Sequence, residues 1–279
     1  MRPKRSASSL AALFRNPLLR AAVLALALLL APALRAAPAW AGGGLYQYST
    51  IDALLAGVYD GGLTMDHLLA RGGFGLGTLN GLDGELVVLD GVAYHAAAGG
   101  RVDVPAGSTR TPFACVTRFA PGTSLALNGI DGLEALNAAV SAHLPTKNRF
   151  YAIRIDARFD RVRTRAIPRQ TPPYAPLAEV TKQQVVTDFS GPGTLVGLYS
   201  PPFVNGVNVP GFHWHFLTGD RTGGGHVLDC AFASAEARLD GMRSFTLDLP
   251  DSRAFDGLDL ADDRSKALQT VEKGTSKTE

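Results

Sequence analysis

The chain has 279 residues and a formal net charge of +2, and 46% of its residues are hydrophobic. Residues 1–41 hold six basic and no acidic residues, an apolar run and a small-x-small pattern before Gly42, which together predict a secretory signal peptide. Without this leader, 21 Lys and Arg face 25 Asp and Glu. The mature net charge is then about −4, which does not support a nucleic-acid partner.

No later apolar run reaches the roughly 20 residues of a membrane span. We therefore expect an exported protein, periplasmic or secreted, without a membrane contact after leader removal. Cys115 and Cys230 are the only cysteines. Export permits a bridge between them, but we favour two unpaired thiols because small apolar thiols are common in cores.

The first elements of the mature chain are short. Residues 45–48 predict a strand, and Ser49 or Thr50 can cap a helix over residues 51–58. The glycine-rich residues 72–79 lack the following helix and the lysine of a phosphate loop. This pattern argues against a nucleotide site.

A β-hairpin is predicted over residues 85–95, with Asp90 and Gly91 as its turn. Glu85 starts a strand that otherwise contains only Leu and Val. A carboxylate there either lies at a solvated strand end or faces a site. His95 on the return strand is more often a hydrogen-bonded core or surface ring than a ligand.

The middle of the chain predicts one helix and two strands. The helix spans residues 130–143, and the strands span residues 150–159 and 162–168, with a short turn between them. Alternation in the second strand places Arg163 and Arg165 on one face.

A proline-rich connector over residues 171–176 predicts the boundary between two lobes. The C-terminal tail predicts a helix in which Glu272 is a frayed, solvated acid. The predicted organisation is a signal peptide (1–41), an N-terminal α/β lobe (42–176) and a C-terminal mixed-sheet lobe (177–279) that contains a histidine-bearing hairpin, predicted to bind metal, and the tail.

Three of the six histidines lie in one predicted hairpin. His213 and His215 alternate in a strand and so share a face. If Asp220 and Arg221 form the tip, His226 lies opposite His215, and any loop of two or four residues keeps all three rings on one face. An unbulged loop of odd length would turn His226 away.

Three neutral imidazoles without a nearby thiolate favour an open, catalytic Zn²⁺ site, in which one position stays free for water or substrate. Fe²⁺, Co²⁺ and Mn²⁺ accept the same ligands. The alternative is that the HWH sequence belongs to a half-exposed aromatic strand with no metal.

Several segments, in order along the chain, resemble those of bacterial alpha-acetolactate decarboxylases: YQYSTIDALLAGVYDG, GTLNGLDGELVVLDG, FYAIRIDARF with TRAIP, GFHWHF and GGGHVLD. The resemblance covers about residues 45–272. It implies a two-lobed α/β protein with mixed β-sheets and few helices, a zinc ion between the lobes on the hairpin, and a homodimer.

The resemblance also implies the roles of seven side chains: zinc ligands His213, His215 and His226, substrate-binding Thr78, and catalytic Glu85, Arg165 and Glu272. Trp214 stands where relatives often carry Leu, and we expect its ring to pack away from the metal.

The implied activity is metal-dependent decarboxylation of 2-acetolactate to acetoin and CO₂, as in acetoin and butanediol formation. The metal would stabilise an enediolate, Arg165 would hold the substrate's carboxylate or carbonyl, and Glu85 or Glu272 would donate a proton. The alternatives are an exported, non-catalytic zinc-binding module, which needs neither Glu85 nor Arg165 near the metal, and a metal-dependent hydrolase with Glu85 as base.

Overall fold

The computed structural model describes residues 43–273, and the predicted signal peptide lies outside these residues. The strands in chain order are β1 (Leu45–Tyr48), β2 (Leu63–Thr64), β3 (Phe74–Leu79), β4 (Asp83–Leu89), β5 (Val92–Ala96), β6 (Val102–Asp103), β7 (Arg110–Thr111), β8 (Phe113–Thr117), β9 (Thr123–Asp131), β10 (Phe150–Ala166), β11 (Val185–Ser200), β12 (Gly211–Thr218), β13 (Gly224–Met242) and β14 (Phe245–Asp248). The helices are α1 (Ile51–Leu55), α2 (Met65–Arg71), α3 (Leu133–Ser141), α4 (Leu177–Val180), α5 (Arg253–Asp256) and α6 (Ser265–Lys273), with 3₁₀ turns at Thr181–Gln183 and Pro202–Val204. Mainly β-structure with few short helices confirms the predicted fold class.

The first sheet has seven strands in the order β14-β1-β8-β3-β4-β5-β6. It is mixed, because β14 joins β1 in parallel whereas the other neighbours run antiparallel. The hairpin predicted over residues 85–95 is formed by β4 and β5. Asp90 and Gly91 both have positive φ at its turn, as a type I′ turn requires.

The second sheet has five antiparallel strands in the order β10-β11-β12-β13-β9. The long strand β10 pairs with both β11 and β13, and β12 joins β11 to β13. Four strands thus close on themselves. This closure brings residues that are far apart in the sequence to one end of the sheet.

Several of the predicted elements have different bounds in the structure. The helix predicted over residues 51–58 already ends at Leu55. The helix predicted over residues 130–143 begins only at Leu133, because Ile130 and Asp131 end β9 and Gly132 turns the chain with a φ of 114°. Apolar periodicity alone does not reveal that residues 123–131 pair with β13.

The two strands predicted over residues 150–159 and 162–168 are the single strand β10, which ends at Ala166. Its pairing with β11 shifts register between Phe159 and Val162, so the expected turn is an irregularity within the strand. Arg163 and Arg165 also differ in environment. The Arg163 side chain is 56% exposed and the Arg165 side chain 4% exposed.

The two sheets pack together through one buried apolar cluster. Leu76 and Val87 of the seven-stranded sheet belong to it with Val196 and Leu217 of the five-stranded sheet, and Leu268 of α6 joins them. Burying a Leu or Val side chain contributes about 1.5–3 kcal/mol. The cluster holds the strands that carry the polar site residues in fixed positions.

Each sheet contains strands from both sides of residue 176. In the five-stranded sheet, β9 and β10 come before it, and in the seven-stranded sheet only β14 comes after it. The division into lobes at residue 176 stays a prediction. Cys115 and Cys230 are buried and unpaired, as we favoured. Among the described residues, no helix is both long and apolar enough to span a bilayer.

Candidate metal centre and active site

The histidine hairpin has the register that the sequence predicts. His215 of β12 pairs with His226 of β13, and the Thr218 amide donates to the Gly223 carbonyl at 2.8 Å. The loop between Thr218 and Gly223 has four residues, and Arg221 in this loop has a φ of 63°. The even loop length places His226 on the same face as the other two histidines.

The three rings converge. One ring nitrogen of each of His213, His215 and His226 lies within 4.8 Å of those of the other two, and His213 Nε2 is 3.1 Å from His226 Nδ1. His215 and His226 are buried, and His213 is partly buried. These residues could hold a metal ion.

The ring of His215 is fixed by the backbone of the neighbouring sheet. Its Nδ1 donates to the carbonyl oxygen of Leu86 at 2.8 Å, so Nε2 carries the lone pair. That Nε2 atom is buried and has no hydrogen-bond partner among the described residues. An orphaned, buried imidazole nitrogen is what a cation ligand requires before the cation binds.

All three imidazoles are held neutral. Burial, aided by the positive charge of Arg165, lowers the pKa of His213 to about 3. Burial is also the main reason that the pKa values of His215 and His226 lie well below their ordinary range. Neutral imidazole is the form that binds metals, so these residues fit a divalent cation.

Trp214 lies between the two histidines of β12 in sequence but on the other face of the strand. It is buried in the second apolar cluster, and its Nε1 donates to Asn137 Oδ1 of α3 at 2.8 Å. Its ring therefore packs away from the histidine cluster, as expected.

Glu85 of β4 reaches the histidine cluster from the other sheet. Its Oε2 is 3.3 Å from His215 Nε2, and its Oε1 is 3.6 Å from Arg165 Nη1. Burial raises the pKa of Glu85 to about 8, although Arg165 opposes the increase, and Glu272 adds to it. Of the two alternatives for Glu85, the solvated strand end is wrong, and the carboxyl group faces a site.

Arg165 lies near the end of β10, opposite His226 of β13. Its Nη2 donates to the Val271 carbonyl at 3.2 Å, and its Nε has no hydrogen-bond partner in the described part of the chain. A buried guanidinium with unused donors can bind an anionic ligand.

Glu272 is held in the site by α6. Its Oε2 is 3.8 Å from His226 Nε2, and its side chain is 21% exposed. Burial raises its pKa to about 7, against the effect of Arg165. The interpretation of Glu272 as a frayed, solvated acid is wrong, because Leu268 and Val271 of the same helix are buried in the core.

One cavity joins these groups. Its polar lining is formed by Thr78, Glu85, Arg165, His213, His226 and Glu272. His215 does not line the cavity but contacts Glu85, which does. The Thr78 hydroxyl donates to the Gly84 carbonyl at 2.7 Å, so its oxygen lone pairs remain for a ligand.

The apolar wall of the cavity was not predicted. It is formed by seven apolar side chains from separate parts of the chain, namely Ile51, Leu54, Leu82, Phe113, Ile167, Leu177 and Val271. In sequence these residues have the pattern of ordinary core positions. No local signal distinguishes an apolar pocket wall from an apolar core.

Comparison with known proteins gives a consistent result. The sequence model of the family described as alpha-acetolactate decarboxylase matches residues 45–262. The chain is 43% identical to the alpha-acetolactate decarboxylase of Methanosarcina mazei, over 82% of this chain and 80% of that one. It is 40% identical to that of Brevibacillus brevis, over 77% of this chain and 76% of the relative.

Solved structures agree. A crystal structure of alpha-acetolactate decarboxylase from Bacillus subtilis strain 168 superposes with a TM-score of 0.80 at 34% identity, covering 84% of this chain and all of that one. The fold and the relatives define a carboxy-lyase. This chain belongs to the alpha-acetolactate decarboxylase family.

Proposed function

We propose that this chain converts 2-acetolactate to acetoin and CO₂ in a metal-dependent reaction. The names of its relatives support this reaction. The observation that carries the metal-dependent form of the proposal is the convergence of three histidine nitrogens within 4.8 Å of one another, with Glu85 3.3 Å from one of these histidines.

His213, His215 and His226 would hold the cation, and their neutral rings and the orphaned Nε2 of His215 fit that role. We expect Zn²⁺, because three neutral imidazoles without thiolates suit a catalytic zinc site. When bound, a divalent cation supplies Lewis-acid stabilisation of negative charge developing on a ketone oxygen.

Arg165 supplies a fixed positive charge on the same cavity. Its guanidinium donates to the Val271 carbonyl and lies 3.6 Å from Glu85 Oε1. Preorganised charge in a water-excluded site can stabilise a transition state by several kcal/mol. We propose that Arg165 orients the substrate's carboxylate or carbonyl, with Thr78 as a second binding group.

Loss of CO₂ leaves an enediolate that must gain a proton on carbon. Glu85 and Glu272 both have a raised pKa, about 8 and about 7, because of burial. Glu85 is the one of the two that lies against both the histidine cluster and Arg165, so we propose Glu85 as the proton donor. Proton transfer from one side of the cavity would give a single enantiomer of acetoin.

The two alternatives make different predictions. A non-catalytic zinc-binding module does not need Glu85 within 4 Å of the histidine cluster, nor Arg165 within 4 Å of Glu85, as they are here. A metal-dependent hydrolase would use the same groups. Assays with carboxylic esters beside 2-acetolactate separate the hydrolase from the lyase.

The test is acetoin and CO₂ formation by the purified protein, against an enzyme-free blank. We expect activity that a chelator abolishes and added Zn²⁺ restores. A His67→Gln variant is the matched control for changes in the histidine cluster, because His67 is exposed on α2. Full activity in metal-free protein would refute the metal dependence, and no acetoin from the metal-loaded protein would refute the reaction.

Export and assembly are further proposals. We propose that residues 1–41 direct export and are then removed, which N-terminal sequencing of the mature protein would test. We propose a homodimer that binds neither nucleic acid nor membrane, and light scattering on the purified protein measures its mass.

A further inference from the structure

His95 lies outside the cavity but directly behind the strand that carries Glu85. It is in β5, opposite Leu86 of β4. Gly84 has a φ of 62°, and a Cβ atom there would clash with the Ala96 carbonyl and lie 3.0 Å from His95 Nε2. The imidazole therefore lies close against the β4 backbone just before Glu85.

Each nitrogen of the His95 ring faces a carboxylate. Nδ1 is 3.4 Å from Asp103 Oδ1 of β6, and Nε2 is 3.5 Å from Asp83 Oδ1 of β4. Only the Nδ1 contact has hydrogen-bond geometry, and Nε2 has no hydrogen bond among the described residues, so its contact with Asp83 is electrostatic. A neutral imidazole carries no charge for that contact, whereas an imidazolium is attracted to both carboxylates. The His95 side chain is 12% exposed, so water screens these pairs only in part.

The surrounding charges favour the protonated ring. Burial lowers the pKa of His95, but the carboxylates of Asp83 and Asp103 together raise it by more, so that it lies above the ordinary value. The nearby cations contact the carboxylates and not the ring. Arg169 is 3.2 Å from Asp83, and Arg101 is 3.9 Å from Asp103.

This cluster is connected to both sides of the active site. Asp83 precedes Glu85 by two residues, and its partner Arg169 lies four residues after Arg165. Between them, the Gly84 amide donates to the Ile167 carbonyl at 3.0 Å. The same few contacts thus tie the start of β4 to the segment that follows β10.

We propose that His95 is a positioning residue for the reaction: held between Asp83 and Asp103, its ring fixes the start of β4 and so fixes Glu85 relative to Arg165 and His215. The catalytic consequence rests on the proposed decarboxylation. The structural consequence is independent of that reaction: the start of β4 is ordered while the imidazole is protonated and becomes less ordered when the ring turns neutral.

The test compares His95→Gln with His67→Gln, the same substitution on an exposed helix face. Glutamine is uncharged and cannot attract both carboxylates as an imidazolium does. We expect kcat to fall about 10–100-fold, because small displacements of catalytic groups have effects of this size. The KM and the metal content of His95→Gln should stay near the wild-type values. The His67→Gln variant should match wild type in all three properties.

Amide hydrogen exchange provides a readout that needs no activity. In wild type, the protection of the amides of residues 84–86, corrected for intrinsic exchange, should fall as pH rises through the pKa of His95. The fall should persist in Glu85→Gln, which lacks the other titrating group of this segment. His95→Gln should show low protection at every pH. Asp103→Asn removes one carboxylate from a partly exposed position, so it should shift the wild-type transition to lower pH.

Wild-type kcat and wild-type protection in His95→Gln would overturn the proposal. If His95→Gln does not fold, Asp103→Asn decides, and an unshifted transition overturns the proposal. If wild type forms no acetoin, the proposed function fails, while the exchange experiment still supports or overturns the positioning role.

Discussion

Replacing Glu85 by glutamine should lower activity and raise stability at the same time. The substitution keeps the size of the side chain and removes its titrating proton. Loss of a positioned general acid lowers kcat by about 10²–10⁴-fold. Because the three histidines are unchanged, metal content should remain that of wild type.

The stability effect follows from the pKa. Burial raises the pKa of Glu85 from 4.5 to about 8, so between these values the folded state keeps a proton that the unfolded chain has lost. Stability of the metal-free protein therefore declines as pH rises from 4.5 to about 8. At pH 7 this penalty amounts to about 3 kcal/mol, at about 1.4 kcal/mol for each pH unit above 4.5. Glutamine has no charge to desolvate and escapes this penalty.

The assay is urea unfolding in chelator at pH 5 and pH 7, together with acetoin formation by metal-loaded protein. Glu85→Gln should be more stable than wild type at pH 7, and the difference should shrink at pH 5. Glu134→Gln on the exposed face of α3 is the matched control and should change neither property. Wild-type kcat in Glu85→Gln would refute its role as proton donor, and equal stability at pH 7 would refute the burial of a protonated carboxyl group.

Three further substitutions test separate parts of the site. His215→Ala should lose metal and activity together, measured by elemental analysis and acetoin formation, and retained activity with reduced metal would exclude a metal role. Trp214→Phe should cost about 1–3 kcal/mol of unfolding free energy through the lost hydrogen bond to Asn137 and a small cavity, with kcat unchanged; a lower kcat would mean that the indole side of the strand affects the site. Leu268→Ala should weaken α6 docking by about 2–5 kcal/mol, because this side chain is buried. Amide exchange in α6 should then accelerate and kcat should fall as Glu272 leaves the cavity, whereas protected α6 amides would contradict the helix's dependence on this contact.

The sequence was sufficient where the signal is local. Alternation in β12 placed His213 and His215 on one face, and the length of the following loop set His226 opposite His215. Hairpin register depends on the turn and on period-two alternation, both of which are encoded in neighbouring residues. The resemblance to a family then indicated side chains far from the hairpin, and the structure brings these residues around one cavity.

The tertiary structure decided what depends on distant partners. The sequence did not predict strand β9, and its last two residues were assigned to the helix predicted over residues 130–143. The pairing of β9 with the distant strand β13 is not visible in the local apolar pattern. Glu272 looked solvated in sequence, yet its helix docks through Leu268 and Val271 onto a core built from both sheets. Arg163 and Arg165 are equivalent by alternation, and only the closure of the second sheet and the docking of α6 bury Arg165. Burial and pKa are properties of everything packed around a group, and elements brought together across the whole chain determine them.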